Sequence, residues 1–425
     1  MSKQDGRSSA LMSMSARCGA AIACGAVNTA LYTDPAVAAL AQATPLLVDV
    51  VPARDVTAHH AAGGVSHAGP PIAPQRMCPP MRAALGVAMT IEGMAESPEE
   101  ALALADAGEV PVLPNHDVGG VGPMAGVVTG SMPLLIARDE ASGKTAWCPL
   151  NEGSGKVLRY GADDAEVVAR LEWMRDVLGP ELSAALRAAG PIDLIALQTE
   201  ALLRGDECHH ATHVCTELTL AALGDRLSPA VREFIEFNHQ FGLNVAMVAA
   251  KLALACAEGH PGSPLLTVLA RNGVEVGIKL SGTGDAWFVG PAALPDPAAL
   301  FDGYAPSDMN PDLGDSAIVE VYGLGGLAVA ASPGAAAHVG LDPADAEAIT
   351  ERLRAVAIAE HPTMRLPHGG PAILGIDARA VAATGIRPPV HTGIAHVRPG
   401  IGQIGGGVTH PPMEAFHAAV LALDA

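Results

Sequence analysis

The chain has 425 residues, with 25 Lys and Arg against 45 Asp and Glu and a formal net charge of −20. Affinity for a phosphate backbone comes from clustered cations, so this balance argues against nucleic acid and against anionic lipid surfaces. Aromatic residues make up only 3% of the chain, which argues against base-stacking platforms, while 47 Gly and 34 Pro point to many tight loops. The seven cysteines are scattered without a CxxC. The reading is therefore a protein of the reducing cytoplasm, with neither a disulfide framework nor a zinc ribbon. No run of Leu, Ile or Phe is long enough to cross a membrane. The Ala- and Gly-rich stretch from Cys18 to Ala43, interrupted by Asn28 and Asp34, makes a poor signal-peptide core.

In chain order, residues 1–17 read as a flexible polar tail. A helix from Ala36 leads into a strand at 45–51 that is closed by Pro52. A second helical stretch covers Arg82 to Ala95. Ser97-Pro98-Glu99-Glu100 then starts a helix, with Ser as N-cap, Pro at the first position and acids in the first turn. A strand follows at Met132 to Ala137. Six segments between residues 163 and 260 have apolar residues at helical spacing: 165–178, 180–189, 192–203, 212–223, 229–238 and 244–257. Strand signals occupy 265–331, including an expected strand at Ala317–Val321. A last helix is expected over Pro343–Ala359, then Gly- and Pro-rich β structure from Pro371 to Val408. The expected class is α/β (α+β) and multidomain. Its parts are an N-terminal α/β unit (18–110), a Gly-rich loop and strand segment (111–162), a helical domain (163–262) and a C-terminal α/β unit (263–425) that completes a cleft.

Several segments carry chemistry. Five glycines between Gly119 and Gly130 let the backbone turn tightly and approach a ligand, with His116 and Asp117 at the mouth. Residues 151–156 (NEGSGK) fail the nucleotide P-loop pattern, because Leu150 replaces its first Gly and Val157 follows the Lys. A smaller anion site remains open, using the amides of Gly153 and Gly155 with Lys156 and Arg159; a plain hairpin with solvated cations is the other reading. Gly323-Leu324-Gly325 and Gly400-Ile401-Gly402 each fit a dinucleotide fingerprint but lack the strand–turn–helix context that it requires. His209 and His213, four apart, would share a helix face and are metal candidates, with His239, His391 and His396 as further candidates that no spacing supports; no metal or other cofactor is assigned. Arg271 is a fork-shaped cation suited to a carboxylate or carbamoyl oxygen pair. Asp312, Asp315 and Glu320 gather carboxylates near a Gly turn, either as a ligand site or as a solvated loop.

The ordered motifs VGPMAGV (121–127), NEGSGKVLRYGA (151–162), GDECH (205–209), ARNG (270–273), SGTGDAWF (281–288), NPDLGDSAI (310–318), TGIAH (392–396) and GQIGGG (402–407) closely resemble the bacterial YlbE/YahG family. With HAGPPI (67–72), the resemblance covers about residues 44–420. Some members are linked to the oxamate carbamoyltransferase of allantoin catabolism. There, a YlbE-like subunit works with an FdrA-like subunit and a small third partner to interconvert oxalurate plus phosphate with oxamate plus carbamoyl phosphate. The resemblance implies an enzyme or enzyme subunit acting on a carbamoyl, ureido or amide group, with phosphate as co-substrate and a homo-oligomeric state. An amide or cyclic-ureide hydrolase and a non-catalytic partner subunit are the alternatives. It implies His116, Asp117, Glu152, Asp285 and Asp315 as catalytic candidates. For the substrate or anion it implies Gly122, Met124, Asn151, Gly153, Lys156, Arg159, Arg271, Asn272, Ser281, Asp312 and His396. It also implies a shortened dinucleotide-fold-like N-terminal unit. The chain departs from the family pattern at His210-Ala211-Thr212 and at Ala286, where cationic residues are lost, which points to a less anionic substrate.

Overall fold

A computed structural model describes residues 32–425. The expected tail at 1–17, the start of the N-terminal unit, and Cys18 and Cys24 lie outside the described residues. The fold is mixed α/β. Asp34 caps the helix Pro35–Gln42 by accepting from the Ala36 amide, with Pro35 at the first helical position. The strand Pro45–Pro52 then enters an antiparallel sheet of four strands, ordered 145–149, 133–139, 45–52 and 192–193. The Ser97 cap is present as its sequence pattern requires, its hydroxyl accepting from the Glu100 amide.

The centre of the molecule is the helix Phe241–Cys256, in which every residue from Phe241 to Ala255 is buried. A helix apolar on all faces has no solvent side and must sit inside the protein. It packs against the strands 133–139 and 145–149 and the short helix 318–322. One continuous hydrophobic core runs through it, from Ala36 to Ala419. Two long polar side chains, Asn244 and Lys251, are carried on this helix and fully enclosed with it. Each needs a polar partner: Asn244 finds Asn151 and the Pro149 carbonyl, and Lys251 reaches Glu258 at the cavity described below.

A second four-stranded sheet is ordered 313–314, 266–272, 275–280 and 288–291. The Asn272-Gly273 pair makes the expected hairpin turn, with Gly273 in the left-handed region at φ +79°. The strands 298–300, 403–409 and 390–395 form a third, antiparallel sheet.

Two expectations are corrected. Ala317–Val321 is not a strand: residues 318–322 form a helix, buried throughout. Its β-branched residues are enclosed on every side, and in so short an apolar run the surroundings override local preference. The helix expected over Pro343–Ala359 stops at Leu353, and residues 357–365 turn into a strand paired with 371–376. Nor is it the last helix, since Ala378–Thr384 and Met413–Leu423 follow.

The glycines at 323–326 serve close packing. A Cβ on Gly323 would lie 2.1 Å from the Ile373 carbonyl oxygen, and one on Gly326 would lie 2.5 Å from that of Pro389.

His361, in the strand 357–365, is buried. Its Nδ1 accepts from the Met364 amide (2.9 Å) and its Nε2 lies 2.9 Å from the Tyr322 hydroxyl. Burial, helped by Arg365, lowers its pKa to about 3. A histidine depressed in the folded state contributes stability that is fully present above pH 6.5 and is lost as pH falls. Between pH 7 and pH 5 this one group should remove about 2 kcal/mol. Urea unfolding at both pH values should therefore show a stability difference smaller by about that amount in His361→Gln than in the wild type. An unchanged difference would refute the assignment.

Candidate active site

Residues 115–118 form a single turn that ends at Gly119, in the left-handed region at φ +88°. Gly120 then passes directly over Trp147, where a Cβ would lie 2.2 Å from the indole ring. This tight passage turns His116 into the interior. Asn115 beside it donates to the Gly126 carbonyl (2.9 Å) and to Asp315 (3.0 Å). Asp315 also accepts from the amides of Gly69 (2.7 Å) and Gly122 (2.9 Å). One buried carboxylate therefore ties three Gly-containing segments together. Burial raises its pKa to about 6 in spite of these donors.

His116 lies 3.8 Å from Asp315, too far for a hydrogen bond, and neither ring nitrogen has a partner among the described residues. Burial first, then the charges of Lys251 and Lys279, hold its pKa well below the ordinary value, so the imidazole is neutral. His116 forms part of the wall of a cavity of about 630 Å³, together with Asp117, Lys144, Lys251, Lys279 and Asp285. That volume suits a small molecule. Lys279 pairs with Asp117 (2.5 Å) and lies 4.8 Å from the Trp287 ring centre, while the Trp287 indole N–H also donates to Asp117 (3.1 Å). Lys251, with its side chain 3% exposed, reaches Glu258 at 3.1 Å. Lys144 and Asp285 stand exposed at the rim.

The structure thus brings His116, Asp117 and Asp285 to one cavity and sets Asp315 behind His116. It does not bring the 151–159 loop there. That loop borders a separate space of about 50 Å³, lined by residues that include Asn151, Glu152 and Arg159. Its polar groups bond mostly within the protein. Glu152 accepts from the amides of Leu158 and Arg159, the Gly153 amide donates to Asn151, and Asn151 donates to Asn244. Arg159 donates to the Gly153 carbonyl (2.5 Å), Asn151 and Gln240. Lys156 is exposed and pairs with Asp164. The free anion cradle expected here is replaced by a self-bonded loop.

Arg271 is buried and gripped by Asp312 at 3.0 and 3.2 Å, and it also donates to the Gly314 carbonyl (2.6 Å). Asp312 in turn accepts from Thr392 and Thr409. The fork expected to meet a ligand is therefore occupied by a carboxylate of its own chain. Asn272 holds its hairpin through the amides of Val274 and Glu275. Ser281 donates to the Ala257 carbonyl. Met124, at φ +54°, packs with Val157, Tyr160 and Ala395, and His396 accepts from the Arg398 amide. His209 and His213 do not share a helix face: the helix begins at His213, which is exposed, whereas His209 is buried in the preceding loop.

Sequence reasoning missed Lys144, Lys251, Lys279 and Glu258. For Lys251 the signal was present, since a lone cation inside an apolar helix requires a polar destination.

The protein is thus of mixed α/β class, with a cavity that carries cationic side chains on its wall. Residues 110–316 match the family described as oxamate carbamoyltransferase subunit AllG. The chain is 38% identical over 396 residues to the oxamate carbamoyltransferase subunit AllG of Escherichia coli K12, covering 90% of this chain and 94% of that one. It is also 38% identical over 393 residues to the uncharacterized protein YahG of the same organism, covering 89% and 83%. A crystal structure of a conserved protein of unknown function from Enterococcus faecalis V583 aligns with a TM-score of 0.88 at 39% identity, covering 92% of this chain and 96% of that one. The chain belongs to the AllG family. No helix among the described residues is long and apolar enough to cross a membrane.

Proposed function

We propose that the chain is the carbamoyl-handling subunit of an oxamate carbamoyltransferase-type assembly, and that the His116 cavity is its active site. The observation that carries this reading is the convergence of Lys251, Lys279 and the unpartnered neutral His116 on one small-molecule cavity. In the transfer, a phosphate oxygen attacks the carbamoyl carbon of N-carbamoyl oxamate. The C–N bond breaks, and the proton of hydrogen phosphate passes to the departing nitrogen. Ammonium groups on the wall stabilise the oxyanion that develops on the carbamoyl oxygen. A histidine with a depressed pKa has a strongly acidic conjugate acid, suited to relaying that proton to an amide nitrogen. A protein partner, as the name of the E. coli subunit implies for that protein, is expected to complete the assembly.

The test is turnover of N-carbamoyl oxamate by the purified chain, alone and with its partner subunits, with and without phosphate. The expected result is phosphate-dependent formation of oxamate and carbamoyl phosphate that requires this chain. Phosphate-independent release of ammonia would mean hydrolysis and would overturn the proposal.

A further inference from the structure

Two ammonium groups on the cavity wall pair with a carboxylate, but the two carboxylates are held differently. Glu258, the partner of Lys251, is 41% exposed. Asp117, the partner of Lys279, is 28% exposed and accepts from a second donor, the indole N–H of Trp287. Trp287 does not line the cavity, yet it meets three residues that do. The antiparallel pairing of Ile278 with Phe288 brings Trp287 opposite Lys279, one step beyond the paired residues. The Lys279 ammonium lies 4.8 Å from the centre of the indole ring. The indole N–H reaches both oxygens of Asp117, at 3.1 and 3.2 Å, and the ammonium reaches the first of these, Oδ1, at 2.5 Å. The ring also meets His116, with centres 6.1 Å apart and planes at 80°.

The strand 275–280 is shaped for this ring. A Cβ on Gly277 would lie 2.7 Å from the Trp287 indole and 2.6 Å from the Pro70 Cβ, so only glycine lets both lie against the strand. An ammonium carries three N–H donors. Asp117 takes one, and the indole face covers a second side of the charge by cation–π attraction. The remaining donor capacity faces the cavity, whose wall Lys279 helps to form although its side chain is only 10% exposed. The indole N–H has a second effect. It shares the charge of Asp117, so the carboxylate competes less strongly with an incoming anion for the ammonium.

We infer that Trp287 is a positioning residue, which together with Asp117 holds the Lys279 ammonium towards an oxygen of the cavity ligand. This rests on the cavity being the active site, as proposed above, and it gives Asp117 a holding role in place of proton transfer. A donor fixed before the ligand arrives needs no reorganisation when charge develops on that oxygen.

The test is oxamate titrated into the full chain as wild type, Trp287→Phe, Lys279→Met and Lys251→Met, with a crystal structure of Trp287→Phe. Phenylalanine keeps a ring beside Gly277 and His116 but removes the N–H and weakens the cation–π contact. Trp287→Phe and Lys279→Met should each weaken oxamate binding roughly tenfold or more. In the Trp287→Phe crystal the Lys279 ammonium should have left its present position, with the cavity backbone unchanged. Full affinity in Trp287→Phe overturns the inference. So does weakened binding with Lys279 unmoved or with the cavity backbone displaced, which marks a merely structural role. A wild-type measurement needs no variant to fold: with 5-fluorotryptophan incorporated, the fluorine resonance of Trp287 should shift when oxamate is added, and an unmoved resonance overturns the inference. If Lys279→Met binds like the wild type while Lys251→Met does not, this inference fails and the cavity stands as the active site. If both bind like the wild type, or the wild type binds no oxamate, the cavity assignment fails and the inference with it.

Discussion

Replacing Arg271 with leucine is expected to destabilise the protein by about 3–5 kcal/mol, the usual cost of stranding one partner of a buried ion pair. Arg271 and Asp312 are both nearly inaccessible, at 1% and 2% side-chain exposure. Burial pushes the Asp312 carboxyl up, but the neighbouring guanidinium more than compensates and holds its pKa below the usual carboxylate value. Without Arg271 the carboxylate keeps only its hydroxyl and amide donors from Thr392, Thr409 and Leu313. The pair also joins the 266–272 strand to the 313–314 strand and to the third sheet, so its loss reaches beyond one contact. The urea midpoint is the measurement. Removing both partners with Arg271→Leu/Asp312→Leu should cost less than Arg271→Leu alone, because no buried charge is left uncompensated. A single variant as stable as the wild type would refute the clamp and return Arg271 to the list of ligand-facing cations.

Replacing Lys251 with methionine is expected to lower turnover by the assembled enzyme about 10²–10³-fold, the range for removing one donor that stabilises developing charge. Stability should change little. The methylene stem is preserved, and the partner carboxylate of Glu258 is 41% exposed, so water can take the place of the ammonium. Lys156→Met is the informative comparison. Lys156 stands on the Gly-rich loop that attracted attention in the sequence, yet it is 60% exposed and paired with Asp164 away from the cavity. It should leave turnover unchanged. The reverse pattern, with Lys156 essential and Lys251 dispensable, would move the active site to the 151–159 loop.

The contrast between these two lysines shows what was legible in the sequence. Features determined within a few residues were readable: the Ser97 cap, the Asn272-Gly273 turn and the helical periodicity between 163 and 260. Of the catalytic candidates, His116, Asp117 and Asp285 lie on the wall of one cavity, whereas Glu152 lies at another. Pairings across distance were not readable. Nothing in the spacing of Arg271 and Asp312 says that one will neutralise the other 41 positions away. Likewise Lys144, Lys251 and Lys279 come from a strand edge, a buried helix and a hairpin, and only the fold collects them. Residues 317–321 misled for the opposite reason: β-branched composition is a local signal, and complete enclosure overrode it.

The central claim is that the His116 cavity holds the carbamoyl-bearing substrate, and a crystal structure of the chain with oxamate tests it most directly. The account predicts oxamate in that cavity, its oxygens within about 2.7–3.2 Å of the Lys251 or Lys279 ammonium. Oxamate seated elsewhere, with the cavity holding only solvent, would contradict it.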